Sequence, residues 1–560
     1  MWPYAIGAND RQRYFVAICV GLMLCLFLPF VNKALHIDEW EWLIVKDHFG
    51  WNPLEGVPVS GYYSQGKIGG QSFIYSASHP MLIPYVLKVL QYFFGEFFIA
   101  IRMFFWFFPL LALWGLSRIS SVCDPRGCNL LLLVLFCTLP AFVVNAQNLM
   151  TDVPTLAFLL AGTGLYVEGL SLARRGRCWW GGAAITCAVV SSYQAMAFIP
   201  VLMGFAWLDK KDGSKEVAKW MLPLLVPVVA MAIWLWVIYQ YYGILPGYNE
   251  GDFIEGAISR GTQLKFFFEK SIYALAMSGG ALLFVLPLRM LSASRRQWLC
   301  IASLFSLMVF LIFGVKAASF AEVSSPVSLA ILCTFGVAGL LLATSELAGW
   351  WRCATSRPLA FLCGGWLAVT FGYNVLLMPF GSARYLLPLF PILFVVLLRG
   401  VDLSLARLRR VVAGCAVLSV LWGGANAWAD YAYADVYRVM AAEVAEFRKT
   451  LNNGEQVWYI GEWGMRYYFD RAGARYLPED SVEPRAGDFV IIPEMPRFWV
   501  PSPQLQPRLE FYASREFRSG LPLRLFNRRA GAGFYAHHWG LLPFALSDEP
   551  DEVFVLLQVR

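Results

Sequence analysis

Asp38 and Glu39 stand side by side in His36-Ile37-Asp38-Glu39-Trp40, directly after the first long apolar run of the chain. Two carboxylates where a chain leaves a bilayer suit proton transfer or cation binding. Their plainer use is a helix cap in a solvated loop, where Asp is a preferred residue. Three more ionisable groups fall at equivalent places. His79 precedes Pro80 near the end of the first long polar loop, a pattern that also suits a simple helix start. Asp152 lies in Gln147-Asn148-Leu149-Met150-Thr151-Asp152-Val153-Pro154, and Arg384-Tyr385 opens a late apolar run. Ionisable residues at membrane depth usually mark a site or a pathway. By topology alone Asp38, Glu39, His79, Asp152 and Arg384 could converge on one outward-facing cavity, and with Tyr385, Arg102 and Lys88 they are the candidate catalytic and substrate-binding residues.

The elements that must carry these residues are membrane helices. Of 560 residues, 58% are hydrophobic and only 15% charged, too apolar for a soluble chain of this length. The net charge of +7 comes from short basic clusters between apolar runs rather than one stripe, so nucleic acid is not an expected partner. Runs approaching the roughly 20 residues a spanning helix needs lie near 14–35, 97–117, 129–146, 152–172, 220–241, 266–288, 298–315, 325–345, 359–378, 384–399 and 411–429. The segment 178–208 has Arg174, Arg175 and Arg177 before it and Lys210, Lys211, Lys215 and Lys219 after it. Both flanks belong in the cytoplasm by the positive-inside rule, so two short helices turning near Ser191-Ser192-Tyr193-Gln194 are expected, about 13 spans in all. With the N-terminus inside, Asp38, His79, Asp152 and Arg384 all reach the outer face. The first run reads as a retained anchor rather than a cleaved signal.

The first outside loop, 36–96, also holds Trp40, Glu41, Trp42, His48 and Trp51, and indoles beside carboxylates suit helices lying in the headgroup layer. Residues 431–560 change character, with shorter apolar runs and more charge. A helix over 435–451 and strands over 456–460, 489–492, 523–526 and 553–559 predict a small extracytoplasmic α/β domain beyond a transmembrane domain of residues 1–430. Its His537-His538-Trp539 reads as a surface or domain contact, because adjacent histidines on a strand point to opposite faces and make a poor metal site. The 12 cysteines lie in spans or cytoplasmic flanks, so outside disulfides are not expected.

The order of these features resembles the lipid-linked-sugar glycosyltransferases of the GT-C fold. Its carriers are the Asp-Glu pair after the first span, the long outside loop ending in His79-Pro80, Asp152-x-Pro154 after the third span, and Arg384-Tyr385-x-x-Pro388 late in the chain. Within that class the chain is similar, over essentially its whole length, to the branch containing protein O-mannosyltransferases and the bacterial 4-amino-4-deoxy-L-arabinose transferase. It departs from the arabinose transferase in carrying Ser78-His79-Pro80-Met81 where that enzyme has Glu-Lys-Pro-Pro. It also has Ser192-Tyr193-Gln194 where many relatives have Lys-Gly.

The resemblance implies an inverting glycosyltransferase of a bacterial inner membrane. It would move a hexose or pentose from a polyprenyl-phosphate donor, held among membrane lipids, to a lipid, glycan or protein acceptor outside. Asp38 would be the base, or an electrostatic or positioning group if the acceptor is itself a phosphate, and Arg384 the partner of the leaving phosphate, while Glu39, His79 and Asp152 would orient the acceptor or hold a divalent ion such as Mg²⁺, Mn²⁺ or Zn²⁺. Two other readings stay open here. One is a transporter or lipid flippase, although its acids would sit near the midplane with internal repeats, and here they lie at the outer ends of spans. The other is a glycan polymerase or ligase using a polyprenyl-diphosphate donor.

Overall fold

The computed structural model describes residues 8–40, 57–58, 67–68, 71–74, 79–124, 129–210, 214–242, 260–290, 303–309, 312, 325–378, 380–399, 406–452, 454–477, 483–495 and 500–560. Glu41, Trp42, His48, Trp51 and most of the expected span 298–315 lie outside the described residues.

In lipid each unpaired backbone group costs several kcal/mol, so long apolar runs close their hydrogen bonds as helices. Six described helices are long and apolar enough to cross a membrane: Phe98–Cys123, Asp152–Ser171, Val217–Gln240, Pro326–Arg352, Arg357–Leu377 and Arg410–Thr450. Shorter apolar helices cover Ala17–Phe30, Leu82–Phe94 and Leu389–Leu398. The described residues thus hold fewer full-length spans than the roughly 13 expected, for visible local reasons. The run 129–146 divides into Asn129–Cys137 and Pro140–Asn145, because Pro140 cannot continue a helix and instead starts one. The run 384–399 shortens to Leu389–Leu398, leaving Arg384 in the turns before it. The paired short helices are Arg175–Val189 and Ile199–Lys210, joined through the 3₁₀ turn Tyr193–Phe198.

Helix contacts in a membrane depend on small residues that let backbones approach. The helix Arg260–Ala281 crosses Pro326–Arg352 in this way. A Cβ added at Gly279 would stand 1.8 Å from the Leu332 carbonyl oxygen, so only glycine fits the crossing.

The last long helix differs from its expectation. Ala406–Thr450 is one helix of 45 residues, running through the boundary expected at 430 and absorbing the separate helix expected over 435–451. No proline interrupts it. Its C-terminal half buries Tyr433, Tyr437, Met440, Ala441 and Val444 at helical spacing, which carries it onto the C-terminal sheet. That five-stranded sheet runs in the order Arg475–Tyr476, Val457–Tyr459, Phe489–Pro493, Glu552–Val559, Leu509–Phe517. The first three strands are parallel, and Glu552–Val559 is antiparallel to both its neighbours. The expected strand over 523–526 is two short strands, Leu523–Arg524 and Phe526–Asn527, outside the main sheet. Leu509–Phe517 was not expected, because its charged, largely exposed residues give no apolar alternation, as suits an edge strand. One contiguous apolar core includes side chains from Cys19 to Phe554, so the C-terminal region packs into the helical part.

Gly279→Val should push the two helices apart and destabilise the fold by about 1–3 kcal/mol, read as a lower thermal midpoint in detergent. Gly414, exposed with nothing near its missing Cβ, is the control: Gly414→Ala should raise the midpoint slightly through helix propensity.

Candidate functional site

Asp38 sits on a turn held in a costly shape. Ile37 has φ +50°, a left-handed conformation that a β-branched residue adopts only when its surroundings impose it, at about 1–3 kcal/mol. Several contacts impose it here. Ile37 is buried, the Glu39 N–H donates to the His36 carbonyl at 3.2 Å, and the Leu35 N–H donates to the Tyr468 hydroxyl at 2.9 Å. Glu39 Oε2 accepts the His36 N–H at 2.7 Å, and its Oε1 accepts the Leu149 N–H at 2.7 Å. Arg102 completes this stitch: its Nη2 lies 3.1 Å from Glu39 Oε1, and it also donates to the carbonyls of Gln147 and Ala34. The pair ties the first loop to the turn that leads into Asp152.

Arg384 meets Asp38 from the other end of the chain. Its Nη1 donates to Asp38 Oδ2 at 2.7 Å, with side-chain exposures of 10% and 16% for the two partners. Its Nη2 reaches the Tyr385 hydroxyl at 3.4 Å, and the guanidinium lies 5.1 Å from that ring's centre. Asp152 and His79 are both within electrostatic reach of the guanidinium. The short helix pair braces this side, with Gln194 donating to the Tyr385 carbonyl at 3.0 Å and the Leu82 N–H donating to the Val190 carbonyl at 3.2 Å. Burial, then the charge of Arg384, pushes His79 down to about 3.

Behind the turn lies a buried polar cluster that sequence reading missed. Lys33 contacts both Asp430 and Asn148; the Tyr535 hydroxyl donates to Asp430 Oδ1 at 2.6 Å, and His36 Nε2 stands 3.8 Å from the same oxygen. Aromatic rings of Tyr433, Tyr535, Trp463 and Tyr437 surround His36. Burial, then the charges of Lys33 and Arg102, hold His36 well below the usual histidine range. The available signal was Lys33 and Asp430 standing at the ends of apolar runs, where ionisable groups seldom sit without a role.

The site therefore gathers Asp38, His79, Asp152, Arg384 and Tyr385, with Glu39 and Arg102 forming the wall behind them. Lys88 is half-buried on the helix Leu82–Phe94, farther along from His79. Trp40 is not at a headgroup surface: it is 3% exposed, beneath the Arg466 guanidinium of the C-terminal region. The histidine pair lies in the 3₁₀ turn His537–Trp539 rather than on a strand. In the arrangement described, Arg384 places its charge on Asp38. No group of three or more metal-ligating side chains occurs among the described residues.

No family model matches the chain, and no curated protein matches it. Among solved structures it is similar to the Archaeoglobus fulgidus oligosaccharyltransferase tethered with an acceptor peptide containing the NVT sequon. That likeness has 11% identity and a TM-score of 0.44 over 84% of this chain, which spans only 64% of the oligosaccharyltransferase. ArnT from Cupriavidus metallidurans bound to undecaprenyl phosphate matches with 13% identity and a TM-score of 0.41, over 98% of both chains. AglB from Archaeoglobus fulgidus in complex with an inhibitory peptide and a dolichol-phosphate matches with 12% identity and a TM-score of 0.45, over 86% of this chain and 69% of that one. These neighbours are GT-C glycosyltransferases, the class that the order of motifs resembles.

Arg102→Met should leave the Glu39 carboxylate buried and unpaired and cost about 3–5 kcal/mol, while adding Glu39→Gln should recover part of that loss; thermal midpoints in detergent check both. The histidines give a pH test. His79 binds its proton more weakly folded than unfolded, so its contribution to stability is present above its ordinary 6.5 and is lost as pH falls toward 3. The thermal midpoint should drop between pH 7.5 and pH 5, and His79→Asn should make that drop smaller.

Proposed function

We propose that this protein is an inverting glycosyltransferase that moves a sugar from a polyprenyl-phosphate donor to an acceptor at the outer face of a bacterial inner membrane. The remaining spans of the expected set of about 13 would complete its helical domain, and residues 431–560 would lie outside with the site. The observation that carries this reading is the contact between Asp38 and Arg384, with Asp152 and His79 within reach of the same guanidinium.

The chemistry follows from the two groups. A hydroxyl of the acceptor, whether lipid, glycan or protein, gives its proton to Asp38 as its oxygen attacks the anomeric carbon. The bond from that carbon to the phosphate oxygen breaks, its electron pair stays with polyprenyl phosphate, and the anomeric configuration inverts. Negative charge grows on the phosphate, where a fixed guanidinium stabilises it. Arg384 suits this task, because its buried Nε has no partner among the described residues and can donate to an anionic oxygen. Asp152 balances the guanidinium while Asp38 turns to the acceptor. Neutral His79 can hold the acceptor without adding charge.

Asp38→Asn should lower kcat at least about 100-fold while the protein still inserts in the membrane, and unchanged turnover would remove Asp38 from the reaction. Arg384→Ala should raise the donor KM about tenfold or more through the lost charged hydrogen bonds, and should lower kcat as well, because the leaving phosphate loses its fixed cation. Polyprenyl-phosphate and polyprenyl-diphosphate sugars supplied in turn separate this reading from a ligase: only the monophosphate should be consumed.

A further inference from the structure

We infer that the turn over residues 534–537 of the C-terminal region is the positioning element for Arg384, with His537 its main positioning residue; this rests on the transferase reading above. The segment before Arg384 has little regular structure of its own. A π-turn at Tyr373–Leu377 ends the preceding helix, and the next helix begins only at Leu389. Where the Arg384 backbone lies is therefore decided by its partners.

Beside Gln194, which holds the Tyr385 carbonyl, those partners come from the C-terminal turn. The Gly381 N–H donates to His537 Nδ1 at 3.0 Å, and the His537 N–H donates back to the Gly381 carbonyl at 2.9 Å. The Ala383 N–H donates to the Phe534 carbonyl at 3.0 Å, and the Tyr273 hydroxyl donates to that same carbonyl at 2.9 Å. His537 is buried, with its ring 4.8 Å from Phe266 and 6.1 Å from Tyr273. An Nδ1 that accepts must belong to a neutral ring with its proton on Nε2. Burial, then His538 and Lys270, pushes His537 down to about 3, so the ring stays in that form at neutral pH.

The same region also grips the other half of the ion pair. Tyr468 takes the Leu35 N–H at 2.9 Å, and the backbone at Gly464 approaches so closely that an added Cβ would lie 2.1 Å from the Leu35 carbonyl oxygen. One region thus holds the segment before Asp38 and the segment before Arg384. It fixes their separation, which is a different task from docking an acceptor or covering a cavity.

The test uses the full-length protein with a polyprenyl-phosphate sugar and a crude envelope acceptor. His537→Phe keeps the ring and removes the acceptor, and His537→Asn returns an acceptor near the Nδ1 position. The phenylalanine variant should raise the donor KM about tenfold, as one lost buried hydrogen bond implies, with kcat falling alongside it through the displaced guanidinium and the acceptor KM nearly unchanged. The asparagine variant should recover most of that rise. An unchanged donor KM, or equal losses in every parameter for both variants, overturns the inference. If His537→Phe does not accumulate, Tyr273→Phe takes its place with the same KM pattern expected. If wild-type protein transfers no sugar, the transferase reading fails by itself. The inference is then decided by a thermal double-mutant cycle of His537→Phe with Arg384→Gln, where a sub-additive midpoint shift supports the coupling and an additive one overturns it.

Discussion

Asp38 and Arg384 are 346 positions apart, and the site exists only where their side chains meet. A mostly buried ion pair adds little net stability, because removing two charges from water offsets much of their attraction. The pair does not hold the protein together. The surroundings hold the pair, and much of the fold around it can be understood as meeting that constraint.

Three sets of contacts do so. Glu39 and Arg102 lock the strained turn at Ile37 and join it to the turn that begins Asp152's helix. The short helix pair braces the Tyr385 carbonyl through Gln194. The C-terminal region contacts both Leu35 and Gly381, and its Tyr535 enters the cluster of Lys33, Asp430 and Asn148 behind the turn. Strain at Ile37 is what such a frame can sustain: the turn is paid for by burial and by hydrogen bonds spread over three distant stretches of chain.

Much of this was legible in the sequence because the signals were one-dimensional. Apolar runs and basic flanks marked the helices, and the turn of the short pair near Ser191 and Ser192 is where the charge map required it. Asp38, His79, Asp152 and Arg384 could be brought to one face by topology alone. The two neighbouring carboxylates could not be told apart. Only the fold turns Glu39 back onto Arg102 and two backbone amides while Asp38 faces Arg384. The continuous helix Ala406–Thr450 was hidden because a membrane stripe and a sheet-facing stripe have different composition but the same helical backbone. His537 reads from sequence as a surface or domain contact, but its partner is a backbone amide, which leaves no mark in residue type.

The central claim is that the Asp38 and Arg384 pair serves transfer from a lipid monophosphate. Phosphorus NMR of a polyprenyl-phosphate sugar, incubated with purified wild-type protein and crude envelope acceptor, follows the bond that must break. The phosphodiester resonance should give way to that of a phosphomonoester. A phosphodiester that persists unchanged, while vesicles carrying the protein accumulate solute, would contradict it.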